Sequence, residues 1–427
     1  MNSVRIEPCK LKGKIKIPAS KSLCHRAVIC AALAQGESNI ENVILSDDIH
    51  ATCKGMESFG AKIENKSEQS LIIKGNFPLN LQKETIDCIE SGSTLRFLIP
   101  IALLSNKKVV FKGRGKLVSR PLNTYYEIFQ RENIKYINDN GNLPLQIEGT
   151  LKSGTFKVKG NISSQFITGL MFVLPLLQGD SKIIITTELE SKGYVDLTID
   201  MLNKFGIKIE NNNYKEFLIK GDQRYINRNY KVEGDFSQAA FWLVAGILEE
   251  EIQGEDLNIN SLQGDKVIID LIEKMGGNIL IDNDLVKTKA SKTKGVIIDA
   301  SQCPDLVPIL TVLAALSEGE TRIGNAERLR IKESDRLKAI STELNKLGAD
   351  VQELEDGLII NGKQKLKGGI VDSWNDHRIA MALAIASIKC TETVTITNSN
   401  AVNKSYPHFW EDFKKLGGKL YECSMGK

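Results

Sequence analysis

The chain has 427 residues, of which 42% are hydrophobic and 26% charged, and its formal net charge is +3. That length exceeds one ordinary hydrophobic core and predicts two domains of about 200 residues each; the nearly balanced charge argues against a nucleic-acid coat or a polybasic membrane anchor. The eight cysteines stand singly, with no Cys-x-x-Cys pair and no Cys/His spacing suited to zinc, so reduced thiols, a cytoplasmic location and no metal are expected.

The N-terminal 17 residues carry no signal-peptide core, and no apolar span reaches about 18 residues. Alternation predicts a strand over residues 14–17, after which Ser20-Lys21-Ser22 opens a helix-like apolar run. Phe59-Gly60-Ala61 closes the first unit, and Ser91-Gly92-Ser93-Thr94 opens the next, which ends at Glu132-Asn133-Ile134. A strand over 155–158 precedes Ser163-Ser164-Gln165 and an apolar run over 166–177; a β-branched strand over 183–187 and the closer Phe205-Gly206-Ile207 follow. The second half repeats the pattern. Its openings are Asp235-Phe236-Ser237, Pro304-Asp305 and Asn375-Asp376-His377-Arg378, the last followed by an apolar run over 379–388 and a strand over 393–397. Its closers are Met275-Gly276-Gly277, Leu347-Gly348-Ala349 and Leu416-Gly417-Gly418.

The closers recur roughly every 70 residues, which marks an internal repeat of mixed α/β character. Gly and Asn are the residues that most readily end a helix in a left-handed conformation. The runs behind the polar openings are apolar nearly all round, so they predict helices buried inside a domain. Each buried helix would present its positive end behind groups that can cap it or hold an anion. Basic residues gather there: Lys21, Arg26, Arg96 and Arg378 near helix starts, and Arg120, Lys332, Arg336 and Lys404 in loops. Arg grips phosphate or carboxylate through paired hydrogen bonds and Lys adds a compact charge, a combination suited to small, multiply charged anions.

The segments Ser20-Lys21-Ser22-x-x-x-Arg26, Gly92-Ser93-Thr94-x-Arg96, Arg120-Pro121, Ser163-Ser164-Gln165-Phe166, Lys332-Glu333-Ser334-Asp335-Arg336 and Asn375-Asp376-His377-Arg378 together resemble the EPSP synthase family of enolpyruvyl transferases, in order from about residue 6 to residue 415. The resemblance implies a two-domain inside-out α/β barrel built from six copies of a βαβαββ-type repeat, three per domain. Residues 20–233 would form one domain and residues 1–19 with 234–427 the other, the active site lying in the interdomain cleft. The implied reaction moves the enolpyruvyl group of phosphoenolpyruvate onto the 5-hydroxyl of shikimate 3-phosphate and releases phosphate, with no cofactor.

Carried over by position, Lys21, Ser22, Arg26, Ser163, Ser164, Gln165, Ser191, Tyr194, Asp305 and Lys332 would bind shikimate 3-phosphate. Lys21, Gly92, Arg120, Gln165, Arg336, Arg378 and Lys404 would bind phosphoenolpyruvate. Asp305 would take the hydroxyl proton and Glu333 would protonate the methylene carbon, with Lys21 and Lys404 neutralising charge or relaying protons. Structural alternatives accompany several of these residues: a helix cap for Asp305, a solvated helical ion pair for Glu333 and Arg336, and an orienting or capping role for His377. The resemblance implies a monomer acting on two small molecules, with neither nucleic acid nor membrane as a partner. Two rival activities share related folds: enolpyruvyl transfer to UDP-N-acetylglucosamine, and RNA-end processing. The first usually places a reactive Cys in the loop ahead of its Arg-Pro pair, which here reads Gly113-Arg114-Gly115-Lys116-Leu117-Val118-Ser119. The second calls for a basic stripe with stacking aromatics, whereas aromatics make up 6% of the chain.

Overall fold

Each closing Gly or Asn ends a helix. Gly60, Gly206, Gly276, Gly348 and Gly417 have φ of +102°, +86°, +91°, +86° and +103°, and Asn133 has +54°. This is the left-handed region, which costs glycine nothing and asparagine little. The structure is a computed structural model describing residues 2–424; residue 1 and residues 425–427 of the expected domain spans lie outside the described residues.

The helices come in pairs, one pair per repeat. They are α1 (Lys21–Leu33) and α2 (Asp47–Ser58), α3 (Gly92–Ala102) and α4 (Asn123–Arg131), and α5 (Ser164–Val173) and α6 (Lys192–Lys204). Next come α7 (Phe236–Leu248) and α8 (Ile268–Lys274), α9 (Val307–Ala315) and α10 (Arg336–Lys346), and α11 (His377–Ser387) and α12 (Phe409–Lys415). The first helix of each pair opens behind the polar cluster and the second ends at the Gly or Asn closer. Four openings carry side-chain caps: Ser91 accepts from the Thr94 amide, Ser163 from Gln165, Asp235 from Ser237 and Gln238, and Asp376 from Arg378. The apolar run over 166–177 stops being α-helical at Val173 and tightens to a 3-10 turn over Leu174–Leu176. Pro175 accounts for this, because it supplies no amide and its ring crowds the preceding turn.

Among the described residues there are six sheets, each of four strands in one spatial order. In the second repeat, Thr85–Asp87 runs parallel to Val109–Lys112, which pairs antiparallel with Asn142–Glu148, itself antiparallel to Lys135–Asp139. The parallel step is made across a helix and the antiparallel step across a short turn, as strand geometry requires. Three sheets recruit a strand from far along the chain. Asn2–Ile6 sits between Val394–Thr397 and Leu420–Ser424, Gly13–Lys16 runs beside Ile252–Glu255, and Tyr230–Lys231 runs beside Gly36–Glu41. The chain accordingly divides into two units of three sheets each, one containing Ala19–Val232 and the other the residues up to Pro18 together with Glu233 onward.

In the Glu233-onward unit, α7, α9 and α11 pack on one another, and every residue of α9 and α11 is buried. A helix with no polar face belongs in such a core. Fully buried Trp242 stacks on Phe409 with centroids 5.0 Å apart. In the Ala19–Val232 unit, α3 packs on α5, and Phe97 meets Phe172 edge to face at 5.5 Å. Burial of each such aromatic contributes about 2 kcal/mol, and it carries the first turns of these helices, with their polar residues, to fixed positions.

Candidate active site

In the Ala19–Val232 unit the openings of α1, α3 and α5 carry the basic and hydroxyl side chains. Lys21 Nζ lies 2.9 Å from Asp48 Oδ2 in the first turn of α2. Arg26, 3% exposed, donates to the Ser22 carbonyl (2.7 Å), the Tyr194 carbonyl (3.0 Å) and Thr198 Oγ1 (2.9 Å). It thereby ties α1 to the first turns of α6, whose preceding residue Ser191 is left-handed with φ +54°. Burial pulls the Arg26 guanidinium down to about 10, which leaves it charged at neutral pH. Gln165 joins α3 to α5: its Oε1 accepts from Arg96 at 2.8 Å and its Nε2 donates to Ser93 Oγ at 2.9 Å. A Cβ on Gly92 would stand 2.7 Å from Arg120 Nη1 and 2.9 Å from its Cζ. Only glycine lets buried Arg120 lie against the first amide of α3.

In the other unit one side chain organises the site. Arg336, 1% exposed, is the first residue of α10 and reaches three carboxylates: Asp376 through Nε at 2.8 Å, Asp305 through Nη1 at 2.8 Å and Glu333 through Nη2 at 2.7 Å. Arg378 meets the second oxygen of Asp305 at 3.1 Å and the Asp305 carbonyl at 3.2 Å, and Lys332 Nζ lies 4.0 Å from Asp305 Oδ1. Asp376 also accepts from Ser334 Oγ at 3.0 Å, and Lys404 Nζ donates to the adjacent Asn375 carbonyl at 2.5 Å. Burial alone would raise the Asp305 carboxyl, but Arg378, Lys332 and Arg336 outweigh it and hold it well below the usual carboxylate range. Burial lowers Lys332 to about 8, with Asp305 opposing and Arg328 and Arg336 assisting, although a quarter of its side chain meets solvent. Burial lowers Arg336 as well, yet its three carboxylates prevail and raise it.

The alternatives carried by Asp305, Glu333 and His377 resolve in physical terms. The Asp305 carboxylate is engaged by Arg336 at 2.8 Å and by Arg378 at 3.1 Å, so it belongs to the cationic cluster whatever it does for the turn Pro304–Leu306. Glu333 and Arg336 do pair, but Glu333 precedes the helix and Arg336 is buried, so the pair is not a solvated helical one. The cap of α11 is Asp376; the His377 ring nitrogen Nδ1 lies 3.7 Å from Asp376 Oδ1. Two residues absent from the expected set hold others in place: Asp48 for Lys21, and Asp376 for Arg336, Ser334 and the Arg378 amide. Asp376 stands in a polar cluster that the sequence singles out, whereas Asp48 reads only as an acidic residue in a first helical turn.

The family model for EPSP synthase (3-phosphoshikimate 1-carboxyvinyltransferase) matches residues 6–413. The chain is 64% identical to the 3-phosphoshikimate 1-carboxyvinyltransferase of Clostridium novyi and 63% identical to that of Clostridium acetobutylicum, in each case over the whole of both chains. Its fold matches the solved EPSP synthase from Acinetobacter baumannii with a TM-score of 0.83 at 25% identity, covering 99% of this chain and 100% of that one. The chain belongs to the EPSP synthase family.

Proposed function

We propose that this chain transfers the enolpyruvyl group of phosphoenolpyruvate to the 5-hydroxyl of shikimate 3-phosphate and releases phosphate, the step of the shikimate pathway that its family performs. The observation that carries the reading is Asp305 held between Arg336 and Arg378 with Lys332 at 4.0 Å. Two guanidinium groups already seat one carboxylate, so they suit the carboxylate of the donor as well. When that group binds, it competes with Asp305 for the same N–H bonds. Asp305, less stabilised as an anion, becomes the better base and takes the hydroxyl proton as the 5-oxygen bonds to C2 of the donor.

Glu333 lies on the third arm of the same guanidinium and is the group we assign to protonating C3, which completes a tetrahedral intermediate. Glu333, now a carboxylate, takes a proton back from C3 as phosphate departs, which forms the product, and Lys21 and Lys404 stabilise the leaving charge. Lys21, Ser22, Arg26, Ser163, Ser164, Gln165, Ser191, Tyr194, Asp305 and Lys332 are the proposed acceptor contacts, and Lys21, Gly92, Arg120, Gln165, Arg336, Arg378 and Lys404 the donor contacts. The reading also takes the chain as a cytoplasmic monomer, consistent with its eight free cysteines.

Phosphate release from phosphoenolpyruvate, measured with shikimate 3-phosphate, with UDP-N-acetylglucosamine and with neither, tests the reading. Release that requires shikimate 3-phosphate is expected; release only with the nucleotide sugar, or none, would overturn it.

A further inference from the structure

His25 lies on α1 between Lys21 and Arg26, the two cations of that helix, and is fully buried. Its Nδ1 is 2.7 Å from Thr52 Oγ1 on α2. Thr52 Oγ1 is 2.7 Å from Thr94 Oγ1 on α3, and Thr94 Oγ1 is 2.8 Å from Ser91 Oγ, the cap of that helix. All four side chains are 0% exposed. The chain of contacts therefore runs through three helices, from the residue that precedes Gly92 to the residue that precedes Arg26.

Thr94 Oγ1 donates at 2.8 Å to Ser91 Oγ, which also accepts from the Thr94 backbone amide at 3.1 Å, and it lies within reach of the Asp48 carbonyl on α2 at 3.2 Å. The Phe97 ring stands beside the imidazole at 88° with centroids 6.2 Å apart. His25 Nε2 is buried with no hydrogen-bond partner, so the bond from Nδ1 to Thr52 is the polar tie that the imidazole makes. Burial and the Lys21 and Arg26 charges hold the imidazole well below its ordinary value, so it stays neutral.

We propose that His25, at the end of the Ser91–Thr94–Thr52 hydroxyl chain, is a positioning residue for the enolpyruvyl donor, fixing the first turn of α3 with Gly92 against α1 and α2. The proposal rests on the functional reading above, which gives Gly92 to the donor and Lys21 to both substrates. Arg26, given to the acceptor, is held by a separate set of bonds to Ser22, Tyr194 and Thr198. Breaking the hydroxyl chain loosens the support of Gly92 and leaves the Arg26 bonds in place, so it acts more on the donor than on the acceptor.

Thr52→Val keeps the shape and removes the hydroxyl, and Thr52→Ser restores it. Thr52→Val is expected to raise the KM for phosphoenolpyruvate about tenfold while the Kd for shikimate 3-phosphate stays within about twofold, and Thr52→Ser to remain within about threefold of wild type in both. Nitrogen-15 spectra of the four histidines supply a readout that mere packing would not move: one buried neutral imidazole whose Nδ1 resonance shifts in Thr52→Val. An Nδ1 resonance of His25 that does not move in Thr52→Val, equal losses for both substrates in that variant, or equal behaviour of the Val and Ser variants would overturn the proposal. Absence of acceptor-dependent phosphate release from the wild type would instead overturn the functional reading, and the donor role with it, whatever the histidine spectra show.

Discussion

The two units open their buried helices with different chemistry. In the Ala19–Val232 unit the residues at the openings of α1, α3 and α5 are Ser20, Ser91 and Ser163. In the other unit they are Asp235 and Asp376 at α7 and α11, with Asp305 in the turn that leads into α9. Serine and aspartate cap a helix about equally well, so the caps alone do not explain the difference; charge does. Behind the serines, Arg26 and Arg96 donate to the neutral oxygens of Ser22, Tyr194, Thr198, Gln165 and Pro121. Their positive charge, added to that of the helix ends, favours an anion brought by a ligand. Behind the aspartates, Arg336 and Arg378 are met by carboxylates of the protein. Such a set can exchange partners when a substrate carboxylate arrives and release a base in doing so. On the proposed roles one unit holds fixed charge, with Lys21 on Asp48 as its own ion pair, and the other moves protons.

Removing a guanidinium from each unit should separate these designs most sharply. Arg336→Met leaves Asp305, Glu333 and Asp376 facing one another without their shared cation, and should lower stability by about 3–5 kcal/mol and kcat/KM by about 10³-fold or more. Arg26→Met leaves carbonyls and a hydroxyl rather than charges, and should cost about 1–3 kcal/mol. Urea unfolding of the two variants side by side measures this, and equal losses would mean that the carboxylate cluster does not depend on Arg336. Next in size is Ser163→Asp, which puts the chemistry of one unit into the other. The cap to the Gln165 amide survives and stability should change by no more than about 0.5 kcal/mol. The KM for shikimate 3-phosphate should rise about 10–100-fold, because like charges now meet at close range. A rise in KM below twofold would show that Ser163 does not face the phosphate-bearing substrate.

What the sequence made legible was local. The left-handed φ at Gly60 or Gly417 is a demand the chain meets at one position, and an apolar run such as 379–388 declares its own burial, so the repeat and the helix openings could be read directly. The partners of the openings could not be read. Lys21 meets Asp48 across 27 residues and Arg336 meets Asp376 across 40; no periodicity links residues brought together only by packing of whole repeats. For the same reason Asp305 read as a possible cap, since the turn is near in sequence while Arg336 and Arg378 lie 31 and 73 residues away. Thr52 and Thr94 look like ordinary β-branched residues in helices until the three helices meet.

A smaller effect is expected at Gly92. Gly92→Ala would place its Cβ 2.7 Å from Arg120 Nη1 and 3.1 Å from Arg96 Nη1, so the two side chains must shift away from the opening of α3. The KM for phosphoenolpyruvate should rise about tenfold with the Kd for shikimate 3-phosphate within about twofold. A matched loss of both affinities would remove the distinction between donor and acceptor groups within this unit.

The gentlest probe is pH, and it acts on the carboxylate-rich unit through Lys332. Its ammonium titrates at about 8, below the ordinary 10.5, so between these values the unfolded chain binds a proton that the folded one has released. Stability should therefore rise with pH over this window, by about 2 kcal/mol at most, and the rise should flatten in Lys332→Met. Acceptor binding should move the other way, because the ammonium that meets a phosphate is lost as pH climbs through the same value. The KM for shikimate 3-phosphate should increase about fivefold by pH about 8.6, and in Lys332→Arg, which stays charged, the increase should vanish. If stability and affinity fell together above pH 8, Lys332 would be a structural cation like Arg336. If they part, it is the member of that cluster whose charge is kept for the ligand.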